Sequence, residues 1–196
     1  MSVILEIHEA NTITIVADKR EYNSNTDEYS DNSQKLFVIH EQLCIAIAGN
    51  VSISVAVNAA INKYKEAIHR ILTTDDVTYI IKNLYDNIIE KSPSLLRYPF
   101  CCIYAGIGKN GKASLICGKR CKEGYIHSTA SEKIFAPADM EIKECNRILV
   151  KYYFSDREAF PKNILREISE KSKFVSLCGD KWVFDIQKRQ GTLTQI

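Results

Sequence analysis

Two short runs rich in β-branched residues open the chain, Val3 to Ile7 and Thr12 to Ala17, joined by a polar turn around Glu9, Ala10 and Asn11. That pattern predicts a hairpin. The next stretch, EYNSNTDEYSDNSQ, is too hydrophilic for a core and lacks helical periodicity, so it is expected as a loop or an irregular edge. Leu36 to Ile39 and Leu43 to Ala48 form a second predicted hairpin around His40–Gln42. The spacing then changes. Val57, Ala60, Ile61, Tyr64, Ile68, Ile71 and Leu72 line one helical face. Thr74 reads as the N-cap of a second helix, with Asp75 and Asp76 in its first turn, and the helix should stop before Pro93.

Strand signals return at Phe100 to Ile107, Ala113 to Cys117 and Tyr125 to Thr129. Helices are expected over Ile142 to Tyr153 and after Pro161, followed by strands at Phe174 to Cys178 and Trp182 to Ile186. Hairpins, a helix pair, more antiparallel strands and a second helix pair describe an α+β layered sandwich, in which helices cover what the sheets leave exposed. No internal repeat or linker divides the chain, so 1–196 is read as one domain.

Composition narrows the function classes. The chain has 196 residues, 45% hydrophobic and 26% charged, with a formal net charge of +2. The basic residues are scattered, so the stripe expected of a nucleic-acid binder is missing. No stretch is long enough to span a bilayer, and the opening residues, without a basic start or a long apolar run, lead to the expectation of no signal peptide. Seven cysteines, an odd number, lie mostly inside apolar runs, which favours buried free thiols and a reducing, cytoplasmic compartment. Cys117, Cys121 and His127 have no matched second pair, so no metal or other cofactor is expected.

The candidate chemistry lies in the first quarter of the chain. Ser2 stands beside Met1; Ile15-Val16-Ala17-Asp18-Lys19-Arg20 ends the second strand; Gln34-Lys35-Leu36-Phe37 enters the third; Ala46-Ile47-Ala48-Gly49 ends the fourth. Over residues 2–49 this resembles proteasome β-subunits and the bacterial HslV peptidase. Those proteins open with a catalytic Thr or Ser, carry Asp-x-Arg at the end of the second strand and a Lys before the third, and place a small residue and a Gly after the fourth. One extra residue sits in the loop between Arg20 and Lys35. The resemblance implies a four-layer αββα sandwich of two antiparallel sheets flanked by helix pairs, the N-terminal-nucleophile hydrolase fold.

It also implies roles. Ser2 would be the nucleophile once Met1 is removed, with its own amine as base. Lys35 would favour the neutral amine, Asp18 would hold Lys35, and the Gly49 N–H would donate to the oxyanion. Arg20, Ser128, Ser131 and Ser176 are supporting candidates. The implied reaction is hydrolysis of a peptide or protein substrate, the implied assembly a ring of like subunits, and an ATPase partner is unspecified. Two segments depart from the family pattern. His127-Ser128-Thr129-Ala130-Ser131 lacks the glycines of the usual Gly-Ser-Gly-like loop. Lys173 to Asp180 keeps Ser176 and Gly179 but has Lys173 where an acid is expected. The alternative is therefore a catalytically inactive homologue acting as a structural or binding subunit.

Overall fold

The computed structural model describes the chain except residues 1, 24, 92, 95–99, 122–123, 130–131 and 156–158. Side chains are likewise not described at 88–89, 119–121, 124–129 and 132–133. The first hairpin is β1 (Ile4–His8) and β2 (Thr12–Asp18), paired antiparallel from Ile4 opposite Ala17 to His8 opposite Ile13. The second is β5 (Leu36–His40) and β6 (Leu43–Gly49). Between them the polar stretch forms β3 (Glu21–Asn23) and β4 (Glu28–Ser30), a two-stranded ribbon rather than a loop. Its cross-strand pair Tyr22–Tyr29, with ring centroids 5.0 Å apart, supplies the apolar contact that its composition conceals.

Further strands complete each main sheet. One sheet has the order β10-β1-β2-β11-β12, with β10 Glu132–Phe135, β11 Gly179–Asp185 and β12 Gln190–Gln195. The other runs β5-β6-β7-β8-β9, with β7 Phe100–Ile107, β8 Ala113–Cys121 and β9 Gly124–Thr129. Alternation along each strand sorts the side chains into three cores. Ile13, Ile15 and Ala17 of β2 meet Cys44, Ala46 and Ala48 of β6 between the sheets. The small residues of β6 leave room there for Trp182 and Phe184, stacked 5.3 Å apart. Leu43, Ile45 and Ile47 face the other way, onto α1 (Val51–Ala67) and α2 (Thr74–Lys91). Leu5, Ile7 and Val16 pack on α3 (Ile142–Ser155) and α4 (Phe160–Lys171). The result is the four-layer αββα sandwich.

Several expectations need correction. The first helix begins at Val51, where the Asn50 side chain accepts from the Ser52 N–H at 2.9 Å, and ends at Ala67. Ile68 and Leu72 keep the helical spacing but pack on the core from the connecting loop. The second helix is capped one residue earlier than expected. Asp76 accepts from both Thr73 N (2.9 Å) and Thr73 Oγ1 (2.8 Å), the backward-reaching half of a capping box, while Thr74 bonds Ser114 instead. Phe174 to Cys178 is not a strand; the polar groups of Ser176 bond the end of β2 rather than a ladder. β10 and β12 go beyond the expected strands. β12 is an edge strand of Gln, Gly and Thr around one Leu, mostly exposed, and carries little hydrophobic signal.

Candidate active site

The two sheets open at one end, where β2 and β6 finish and β5 begins. Asp18, the last residue of β2, is fully buried and Ser2, just before β1, is 7% exposed. Asp18 Oδ1 accepts from the Val3 N–H at 2.9 Å, fixing the backbone next to Ser2. Its Oδ2 accepts from Arg20 N (2.8 Å), Ser176 N (3.4 Å) and Lys35 Nζ (2.9 Å). Lys35 comes from the facing sheet, 7% exposed, and donates again to Arg20 O at 2.5 Å. The ion pair therefore ties the two sheets together at their open end. Burial pushes the Lys35 ammonium below the usual lysine value, while Asp18 pulls it back up.

Backbone geometry explains two glycines here. Gly49 ends β6 at φ 132°, a conformation that an L side chain rarely adopts. Gly179 pairs with Asp18, and a Cβ on it would lie 2.5 Å from Leu165 Cδ1 and 2.8 Å from Ala17 O. It lets α4 approach the strand that carries the carboxylate.

A cavity of about 390 Å³ lies over the pair. Ser2, Arg20, Lys35 and Gly49 line it, so three of the four principal candidates share one space and Asp18 braces it from below. Arg20 is held by Asp31 through Nε (2.7 Å) and an Nη (2.8 Å), and by Lys173 O (3.3 Å). Ser176 is adjacent: its Oγ accepts from Lys19 N at 2.9 Å and donates to Cys178 O at 2.6 Å. Ser128 lies on β9 with its side chain outside the described residues, and Ser131 is outside them altogether. Asp139 accepts from Ser172 Oγ at 2.6 Å and Lys173 N at 3.1 Å, and nothing in the local sequence points to it.

Sequence patterns also miss most of the cavity wall. Phe37, Ile47, Val51 and Val55 form an apolar side, and Glu21, Tyr22 and Phe174 come from the ribbon and the segment before β11. Ile47 and Val51 flank Gly49, so proximity to the motif is their one available signal. Among the described residues no group of His, Cys, Asp and Glu could hold a metal ion, and no helix is long and apolar enough to cross a membrane. The side chains of Cys121 and His127 are not described; Cys117 is a buried free thiol.

The architecture is thus a proteasome-like αββα sandwich whose sheets open onto a pocket carrying a serine, a lysine and a buried carboxylate. The chain is similar over its whole length to the solved structure of an Anbu (Gly-1) mutant from Hyphomicrobium sp. strain MC1, with a TM-score of 0.75. That match covers 87% of the Anbu chain at 15% sequence identity, which carries the fold and nothing finer. No family model and no curated protein matches the chain. The resemblance of residues 2–49 to proteasome β-subunits and HslV is corrected accordingly: it does not identify the chain as a member of that family. The matched positions are those that close one end of a two-sheet sandwich, so they mark the architecture rather than a branch within it.

Proposed function

We propose that the chain is an N-terminal serine peptidase or amidase, a single domain over 1–196 that hydrolyses amide bonds through an acyl-enzyme on Ser2 after removal of Met1. The observation that carries this reading is the buried Asp18–Lys35 pair beside Ser2 in an open cavity. Two charges in a buried site cost several kcal/mol each in desolvation. In this reading Lys35 acts on Ser2 as well as fastening the sheets.

In this reading the free Ser2 amine takes the Oγ proton as Oγ attacks the carbonyl carbon of the substrate. The carbonyl oxygen becomes an oxyanion and accepts from the Gly49 N–H. Collapse breaks the C–N bond; the leaving amine departs with the proton held by the Ser2 amine, leaving an ester on Oγ. Water then adds to the ester, its proton passing to the same amine; collapse breaks the C–Oγ bond, the amine returns that proton to Oγ, and the acid is released. Lys35 biases the amine toward its neutral form, and Asp18 with Ser176 keeps Lys35 and the β2 end in place. A peptide or protein substrate, self-association into a ring and a cytoplasmic setting fit the same reading.

The test is an intact mass lacking Met1, a β-lactone adduct on Ser2, and loss of both labelling and peptide turnover in Ser2→Ala. Protein that keeps Met1 and never forms an adduct would refute the catalytic reading. A second reading, a non-catalytic structural or binding subunit, is favoured by Lys173 at the acidic position and by the glycine-free 127–131 segment. Turnover abolished by Ser2→Ala would end it.

A further inference from the structure

The cavity beside Ser2 is lined by three charged residues, Arg20, Glu21 and Lys35. Both cations are occupied. Arg20 forks onto Asp31, and Lys35 is paired with Asp18. Each couple is neutral, so neither offers a net charge to a ligand. Glu21 differs: it makes no ion pair or side-chain hydrogen bond among the described residues, and it is half-buried at the start of β3. It lines the cavity from the ribbon, and its charge is felt by the Lys35 ammonium. Lys173, with its ammonium 5.3 Å from the Phe174 ring, does not line the cavity.

The rest of the cavity sets the shape of what would reach that carboxylate. Phe37, Ile47, Val51 and Val55 give an apolar wall, with Val51 and Val55 one turn apart on α1 and exposed at 46% and 63%. A lysine or arginine side chain combines both features, a long apolar stem and a charged head. An acidic side chain would meet Glu21 without a free cation among the described lining residues to offset it. An aliphatic one would use the wall alone.

We propose that Glu21 is a specificity-determining residue that selects peptide substrates with a lysine or arginine side chain, its stem on the Phe37–Ile47–Val51–Val55 wall and its cation on the Glu21 carboxylate. This rests on the reading of the cavity as a substrate site, but not on that site being catalytically active. A partly solvated charge-assisted contact of this kind is expected to favour the cation by about tenfold over an uncharged side chain of similar length.

The probes are N-acetylated tripeptide amides differing at one position, with lysine, norleucine or glutamate. Their binding to Ser2→Ala is measured by calorimetry, and turnover of the matching fluorogenic amides is followed with the unsubstituted protein. Binding is expected to rank lysine above norleucine above glutamate. Adding Glu21→Gln should bring lysine level with norleucine, Glu21→Lys should reverse the order, and added salt should narrow it. Equal binding of lysine and norleucine peptides, a preference that survives Glu21→Gln, or no binding of any probe overturns the inference. A lysine preference without turnover keeps it and removes the peptidase reading; turnover without the preference does the reverse.

Discussion

Removing the charge of Asp18 while keeping its shape is the sharpest perturbation the fold allows. In Asp18→Asn one end of the side chain becomes a donor. With the amide nitrogen at the Oδ2 position it faces Arg20 N, Ser176 N and Lys35 Nζ; turned the other way it faces Val3 N. Either orientation sets donor against donor. Lys35, 7% exposed, keeps its charge and retains Arg20 O as an acceptor. Breaking a buried pair from one side typically costs about 3–5 kcal/mol. For a chain this long that is a fall in melting temperature of roughly 6–20 °C. Lys35→Met leaves Asp18 with three backbone donors and should cost less, about 1–3 kcal/mol. The double variant Asp18→Asn/Lys35→Met removes both charges, so it should be no less stable than Asp18→Asn alone. Urea unfolding of the four proteins gives the coupling energy, expected at about 2 kcal/mol or more. An Asp18→Asn cost below about 1 kcal/mol, or strictly additive costs, would show that the pair is not the cross-sheet tie described above.

Other perturbations probe separate parts of the molecule. Gly49→Ala forces a side chain onto φ 132° and should lower stability by about 1–3 kcal/mol in a thermal melt; an unchanged melt contradicts the assigned backbone. Gly191→Ala puts a Cβ 2.3 Å from the Trp182 indole, so overpacking should cost about 1–3 kcal/mol and perturb tryptophan fluorescence. His40 takes the Gln42 N–H on Nδ1 and gives Nε2–H to Leu72 O, an arrangement for the neutral ring, and burial lowers its proton affinity. The unfolded chain therefore binds the proton first as pH falls. The His40 contribution is present above about pH 6.5 and lost below it, and His40→Gln should flatten the pH dependence of the urea midpoint there. In the catalytic reading, β-lactone labelling should rise with pH to a midpoint below the ordinary α-amine value of about 7.7–8.0, and Lys35→Met should raise that midpoint.

What was legible in the sequence follows from where each residue's partners lie. β1, β2 and β6 are largely buried on both faces, so their β-branched runs announce strands without any help from context. Ser2, Asp18, Lys35 and Gly49 stand at strand ends, where spacing alone fixes which ends meet once the two hairpins face each other. Segments whose partners are remote give weaker signals. Phe174 to Cys178 has the composition of a strand, but Ser176 at its centre bonds residues 157 and 158 positions away, taking Lys19 N–H on Oγ and giving its own N–H to Asp18 Oδ2. The tyrosines of β3 and β4 are legible as a ribbon once the Tyr22 and Tyr29 rings are known to pack, tilted or edge-on, against each other and Phe174. Asp31 and Asp139 read as ordinary polar loop residues, because what distinguishes each is a distant partner, Arg20 or Ser172. The motif residues gather around one pocket, yet the resemblance overreaches at the level of family, since a few strand-end positions describe a geometry shared by the fold.

Stability and, in the catalytic reading, reactivity meet at the Asp18–Lys35 pair. Ordinary single variants confound its two roles, because removing either residue disturbs the sheet junction and the surroundings of Ser2 together. The double variant separates them. With both charges gone, the desolvation cost that made the pair expensive is gone as well, and the junction can recover through apolar contact between the methionine introduced at position 35 and the β2 end. In the catalytic reading the Ser2 amine, by contrast, loses the ammonium of Lys35 and has nothing to replace it. A junction-only role predicts that labelling of Ser2 recovers in step with stability in Asp18→Asn/Lys35→Met. A catalytic role predicts that stability returns toward that of Lys35→Met while labelling at neutral pH stays low. The two quantities are measured on the same sample, by urea midpoint and by adduct mass, so a partly unfolded preparation cannot pass for an inactive site.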